Sequence, residues 1–229
     1  MMPEKSHKIL LSDADSLRRI KFAQFRSQVP ALALLAIAIA LNALVPSHNL
    51  YSVALVLALV AVVWYLIVGF SFRFRQKIAP PPANALLSPI QGRIAFSRGN
   101  EDVTLLNIRK VLLDRVEIRC PHDSSRLEDG ILHLDSVAGK ISFRFDFRRL
   151  QWFPDVEFKA GNIIGIAVGK GGCTVTFPGQ PKLICQTGDQ VDAGDVLMED
   201  LVTGQTTLQD EKPRILEVIP DLPEGKDEL

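Results

Sequence analysis

The chain has 229 residues, and its 26 Lys and Arg balance 26 Asp and Glu. That length suits one soluble domain plus a membrane anchor. Residues 1–80 hold nine Lys/Arg against three acids, Glu4, Asp13 and Asp15, so the remainder holds 17 against 23. An acidic soluble part argues against nucleic acid as a partner, because phosphate binding needs clustered cations. Three cysteines, Cys120, Cys173 and Cys185, show no C-x-x-C spacing. They give neither a disulfide framework nor a zinc site, and they read as buried thiols.

Residues 1–29 form a basic N-terminal segment. Ser12, followed by Asp13 and Asp15, reads as a helix start. Leu17, Ile20, Phe22 and Phe25 alternate with Arg18, Arg19, Lys21 and Arg26. This pattern suits a short amphipathic helix on the membrane surface, or an extension of the span that follows. Residues 30–70 predict a transmembrane helical hairpin. The run 51–70 carries no charge and covers roughly 30 Å at helical rise, enough for a bilayer core. The run 30–45 covers roughly 24 Å and needs its flanks or local thinning. A cleaved signal peptide is the rival reading of that first run. A charged segment before it and a second span directly after it argue against that reading. Pro46-Ser47-His48-Asn49 joins the two as antiparallel neighbours. Lys and Arg flank both outer ends and are missing from the link, which places both termini in the cytoplasm. Trp64 and Tyr65 suit the interfacial aromatic belt.

Residues 71–84 read as a basic, proline-rich linker through Arg73, Arg75, Lys77 and Pro80-Pro81-Pro82. The three cations lie at headgroup level and are candidates for pairing with phospholipid phosphate, or they fix topology. Residues 85–208 read as a mostly β domain of barrel or sandwich type. Strands are expected at 92–97, 103–108, 130–134, 140–147, 163–168, 173–177 and 182–185. Ile141, Phe143, Phe145 and Phe147 alternate with Ser142, Arg144, Asp146 and Arg148, the period of a strand with one buried face. Gly169-Lys170-Gly171-Gly172 is expected to connect two strands. Lys170 has neither the spacing nor the hydroxyl of a phosphate loop. Residues 209–229 form an acidic, proline-containing tail expected to be mobile. The tail ends Lys226-Asp227-Glu228-Leu229, which spells a lumenal retention signal, but the expected topology puts it in the cytoplasm, where it is not read.

Four segments carry a family resemblance. The first is Leu87-Ser88-Pro89-Ile90-Gln91-Gly92-Arg93-Ile94. The second is Asp114-Arg115-Val116-Glu117-Ile118-Arg119-Cys120-Pro121. The third is residues 163–178, and the fourth runs from Gly188-Asp189 to Val196-Leu197. With Phe72-Arg73-Phe74-Arg75 at the membrane exit, their order and spacing resemble the short bacterial phosphatidylserine decarboxylases over residues 30–200. The fourth segment alone also occurs in biotinyl and lipoyl carriers and in membrane-fusion adaptors. The carrier lysine is missing, because Met198 is followed by Glu199.

The resemblance implies a decarboxylase-like β domain and a serine that becomes a pyruvoyl group by self-cleavage. It also implies a histidine that takes the serine proton and an aspartate that orients the histidine. The aspartate position falls on Gln91, the histidine position on Val116, with Arg119 as the other nearby candidate, and the serine position on Gly171, and no Gly-Ser dipeptide occurs in the chain. The resemblance therefore implies a non-catalytic relative without cofactor, which binds membrane phospholipid or a membrane protein partner. An alternative is an active decarboxylase that forms its pyruvoyl group at Gly172-Cys173, since a thiol makes the same acyl shift, with His122 as base. A third reading makes the β module a docking platform of a membrane assembly.

Overall fold

The computed structural model describes residues 10–11, 14–44, 48–82 and 84–201. The expected tail 209–229 with its Lys226-Asp227-Glu228-Leu229 ending lies outside them, as do the Ser12-Asp13 helix start and Pro46-Ser47 of the hairpin link.

Two helices open the fold, α1 (Ala14–Leu44) and α2 (His48–Ser71). Both are long and apolar enough to cross a membrane. Only 11% of the most apolar window of α2 is buried, which sets it apart from the core helix of a soluble domain. Their contact uses small side chains. Ala31 and Ala38 of α1 and Ala54 and Ala61 of α2 are buried while the larger apolar side chains around them face outward. Alanines seven residues apart form one stripe, and close backbone approach is how helices associate where lipid removes the hydrophobic drive. Pro30 lies inside α1 and does not end it. The basic segment and the first span are therefore one helix of 31 residues, roughly 46 Å long, so the extension reading of the N-terminal segment holds.

The surplus length of α1 rests on the β domain. Ile20 and Phe72 pack with Val116, Phe153, Ile163 and Ile166, with Leu17 at the margin. The Ser16 hydroxyl donates to the carbonyl of Ile163 at 3.3 Å. Arg19 donates to the carbonyl of Pro154 at 2.6 Å and lies over the Phe153 ring. Phe22 and Phe25 stay exposed.

The β part comprises short β1 (Leu10–Leu11) and β2 (Lys77–Ile78), paired with each other, and β3 (Leu86–Leu87), paired with β12 (Val196–Met198). The main sheet is built from β4 (Gly92–Gly99), β5 (Val103–Lys110), β6 (Glu117–Arg119), β7 (Ser125–Glu128), β8 (Ile131–Ser136), β9 (Gly139–Trp152), β10 (Ile163–Pro178) and β11 (Gln190–Val191). All its pairs are antiparallel, in the order β11-β4-β5-β10-β9-β8-β7, with β6 also on β10. The mostly antiparallel β domain behind two apolar helices agrees with the sequence. The sheet does not close, because among the described residues no pairing joins β7 to β11. Its core holds Leu106, Ile108, Ile118, Leu132, Phe143, Val175 and Phe177.

Two expectations need correction. Residues 182–185 form no strand; their backbone is irregular, with Ile184 donating to the carbonyl of Leu197. Residues 163–178 are one strand and not two. The Gly169-Lys170-Gly171-Gly172 stretch is a bulge within it. Val168 pairs with Arg149 and Gly171 with Phe147, so two residues of β10 oppose Arg148 alone. Gly169 takes φ +95, the left-handed conformation such bulges use. The bulge bends the whole ribbon. Phe145 and Trp152 of β9 would stand about 23 Å apart on a straight strand, yet their rings meet edge to face with centroids 5.2 Å apart.

β10 changes partner at the bend, from β6 on one side to β5 on the other. Thr104, Leu106, Ile108 and Lys110 occupy the buried phase of β5, so an ammonium sits where the alternation calls for an apolar side chain. Lys110 is 1% exposed. Its three donors go to the carbonyls of Val111 at 3.3 Å, Asp114 at 3.0 Å and Gly169 at 3.3 Å. Burial pushes its pKa down, and nearby Asp114 and Glu117 oppose this. Replacing Lys110 with Met keeps the stem and removes a donor from three carbonyls, of which only that of Val111 is seen to keep another, the N–H of Asp114. This change is expected to cost about 3 kcal/mol, lowering the thermal midpoint of the full chain in detergent by about 6–12 °C. An unchanged midpoint would show that the ammonium does not hold the bend.

Candidate functional site

The four segments singled out in the sequence meet in space. Ser88 donates its backbone N–H to the carbonyl of Asp195, and Gly194 donates back to that of Ser88. Leu87 donates to the carbonyl of Pro121 and Arg119 to that of Pro89. Ala167 donates to the carbonyl of Val116 at 2.8 Å. Gln91 and Val116 are therefore close, joined through Arg115, whose backbone N–H donates to Gln91 Oε1 at 2.7 Å.

Gln91 lies in a polar network and not in a proton relay. Its Nε2 donates to Asp192 Oδ1 at 2.7 Å. Asp192 Oδ2 accepts from Arg115 at 3.0 Å and from Arg75 at 3.4 Å. Asp192 thus offsets two guanidinium groups and fixes the glutamine amide. Val116 is fully buried against Ile20 and Phe72, with no acid or base at its position.

Gly171 has no room for a side chain. A Cβ there would lie 2.3 Å from the carbonyl oxygen of Asp146 and 2.3 Å from Cδ1 of Phe147. Cys173 is fully buried within the β5–β10–β9 ladder, opposite Ile108 and Phe145. Burial pushes its thiol pKa far up, away from the thiolate needed for attack. His122 is 8% exposed in the turn after β6. Its Nδ1 accepts from the backbone N–H of Ser124 at 3.1 Å, and no hydrogen bond links it to Cys173. The Cys120 thiol, whose pKa burial raises to about 11, donates to the His122 carbonyl.

The membrane exit is clasped to β6. Val116 donates to the carbonyl of Arg73, and the backbone N–H of Arg75 donates to Glu117 Oε1 at 3.0 Å. Arg119, 1% exposed, donates to the carbonyls of Arg75 and of Gly161. Glu117 and Arg119 face each other at 3.9 Å with side chains 0% and 1% exposed. Burial raises the Glu117 pKa and Arg119 draws it back. Arg73 donates to the carbonyl of Leu113. Lys77 lies in β2, opposite Leu11. Arg73 and Arg75, candidates for headgroup contact, thus hold the exit segment to the domain.

Beside this clasp a groove of about 970 Å³ opens between the hairpin and the bent ribbon. Ala23, Arg26 and Pro30 of α1 and Trp64, Ile67 and Ser71 of α2 line one wall. Arg148, Arg149, Leu150, Val168, Lys170 and Leu112 line the other. The sequence reading passed over Asp192, Arg115, Arg148 and Arg149. The adjacent arginines at 148 and 149, which break the alternation of β9, were the available signal. Known protein families, curated proteins and solved structures give no match to this chain. Among the described residues no cluster of His, Cys, Asp and Glu is arranged to hold a metal ion.

Burial lowers the His122 pKa, and Asp123 opposes this. The unfolded chain then binds the proton more readily, so stability is full above about pH 6.5 and falls as the pH drops through the lowered value. His122→Asn keeps an acceptor for Ser124 and removes the titration. Between pH 7.5 and 5 the thermal midpoint of the wild type is expected to fall further than that of the variant. Parallel curves would remove His122 from the acid response.

Proposed function

We propose that this chain is a membrane-anchored relative of the phosphatidylserine decarboxylases that does not process itself and binds phospholipid at the membrane surface. The hairpin crosses a bacterial inner membrane with both termini cytoplasmic, as the Lys and Arg distribution favours. The β domain stands at the headgroup level.

The observation that carries this reading is the space at Gly171. Self-cleavage needs a hydroxyl or thiol on a residue held in a reactive turn, with a base beside it. Any side chain at 171 meets the Asp146 carbonyl and the Phe147 ring. Gly172 and Cys173 continue a regular ladder against Arg109 and Ile108. The partner groups have gone as well, with an amide at 91 that binds Asp192 and a hydrocarbon at 116. Phospholipid is the favoured ligand because the domain is fixed beside two apolar helices and presents cations to the groove between them.

The intact mass of the chain purified from cells tests the first half. A single species matching the 25.3 kDa chain is expected. Two fragments that meet at residues 172–173 would overturn it. Gly171→Ser is expected to restore no cleavage and to destabilise the domain by about 3 kcal/mol, because the backbone must give way. Native mass spectra in mild detergent test the second half, with phospholipid adducts expected on the folded chain. Spectra of folded protein that never carry added phospholipid would sink the binding role.

A further inference from the structure

We infer that the groove between the helical hairpin and the β9–β10 bend is a site for one acidic glycerophospholipid whose headgroup carries no amine. Its phosphate would lie among Arg148, Arg149 and Lys170, and its acyl chains along Trp64 and Ile67. This rests on the phospholipid-binding reading and gives it a place and a chemical class.

The first support is position. The groove follows α1 between Ala23 and Pro30 and α2 between Trp64 and Ser71, where the apolar spans give way to the domain. A lipid of the surrounding leaflet reaches this level without leaving the bilayer. Trp64 stands at the membrane end of the wall, the depth at which indole rings favour the headgroup boundary.

The second support is charge. Arg26, Arg148, Arg149 and Lys170 line the groove, and no Asp or Glu does. None of the four forms an ion pair with another described residue, whereas Arg75 and Arg115 are both held by Asp192. Uncompensated cations facing one cavity favour a phosphate. They oppose the ammonium of an ethanolamine or serine headgroup, for which the lining offers no carboxylate. The groove is therefore unlike a site built for the decarboxylase substrate. Its volume of about 970 Å³ also exceeds what a free phosphate fills, and it is at the upper end for a small-molecule site.

The third support is an apolar tip beside the opening. Val111, Leu112 and Leu113 are 54%, 38% and 54% exposed, and Leu112 lines the groove. This tip is held in shape. Asp114 Oδ2 accepts from the backbone N–H of Val111 at 2.7 Å, and Arg73 and Lys110 bind its carbonyls. Three adjacent exposed aliphatic side chains on an ordered turn are costly in water and favourable against acyl chains.

The test uses the full-length chain, stripped of lipid in dodecyl maltoside and titrated with phosphatidylglycerol or phosphatidylethanolamine. Native mass spectrometry reads occupancy. The wild type is expected to bind phosphatidylglycerol about tenfold or more tightly than phosphatidylethanolamine. Arg148→Gln/Arg149→Gln/Lys170→Gln should erase that preference and leave binding of phosphatidylethanolamine unchanged. The charge-conserving variant Arg148→Lys/Arg149→Lys/Lys170→Arg should keep most of it. The three positions are exposed, so an unaltered thermal midpoint will show that the fold survives. In a Trp152→Phe background, phosphatidylglycerol with brominated chains should quench Trp64. A triple glutamine variant that keeps the wild-type preference, or a Trp64 that no bound lipid quenches, would overturn the groove while leaving the phospholipid reading in place. A wild type that binds neither lipid would overturn both.

Discussion

One extra residue in β10, opposite Arg148, sets the shape of the domain. A flat ribbon would run β9 and β10 straight past the hairpin. The bulge turns the pair, so that Phe145 meets Trp152 and β10 leaves β6 to join β5. The turn cannot be closed by backbone pairing alone, because a strand that changes partner leaves carbonyls without ladder bonds. Lys110 fills that need. An aliphatic side chain there would add apolar area, at about 25 cal/mol per Å², but would leave the carbonyls of Val111, Asp114 and Gly169 without this donor. Unsatisfied buried carbonyls cost about 1–3 kcal/mol each, so the buried ammonium is the better occupant.

The same logic governs the attachment of the domain to the two apolar helices. A domain tethered by a flexible linker would sample many orientations over the bilayer. Here the segment 73–75 after α2 gives its backbone groups to Val116, Glu117 and Arg119, and the first helix lays its surplus turns on Phe153 and Ile163. A buried ion pair adds little net stability by itself, since desolvation offsets the Coulomb gain. The arginine at 119 matters through its geometry. Its planar fork reaches two carbonyls from opposite sides, Gly161 in the domain and Arg75 in the exit segment. A lysine in that place lacks the fixed fork.

Much of this was legible in the sequence. Uninterrupted apolar runs marked both helices, and strict alternation at 141–147 marked β9, because one buried face imposes a period of two. What escaped was local geometry that pattern does not encode. Gly169-Lys170-Gly171-Gly172 read as a loop because glycine normally ends strands. In β10 Gly169 takes a bulge conformation and Gly171 makes room for the Phe147 ring. Lys110 escaped because an ammonium in the core phase of a strand reads as the end of that strand. The link after Val45 was also expected to include His48 and Asn49, which begin α2 instead. The groove escaped for a different reason: its cations come from α1, β9 and β10, far apart in sequence.

The two polar centres on either side of the bend differ in electrostatic character, and this separates their roles. Around Asp192 two guanidinium groups share one carboxylate. The carboxylate receives Arg75, Arg115 and the Gln91 amide, and the network serves as internal glue. Around Lys170 the cations are unmatched by any acid in the lining. Like charges gathered on one wall repel one another, a cost that persists in a fold only where something offsets it. Water and salt offset part of that cost, because Arg148, Arg149 and Lys170 are exposed. In the proposed site a phospholipid phosphate would relieve that repulsion, and its acyl chains would cover the apolar wall at the same time. The relief would be greatest for a headgroup that brings no positive charge of its own, so under that proposal the polarity of the lining would select among lipids that the apolar wall alone does not distinguish.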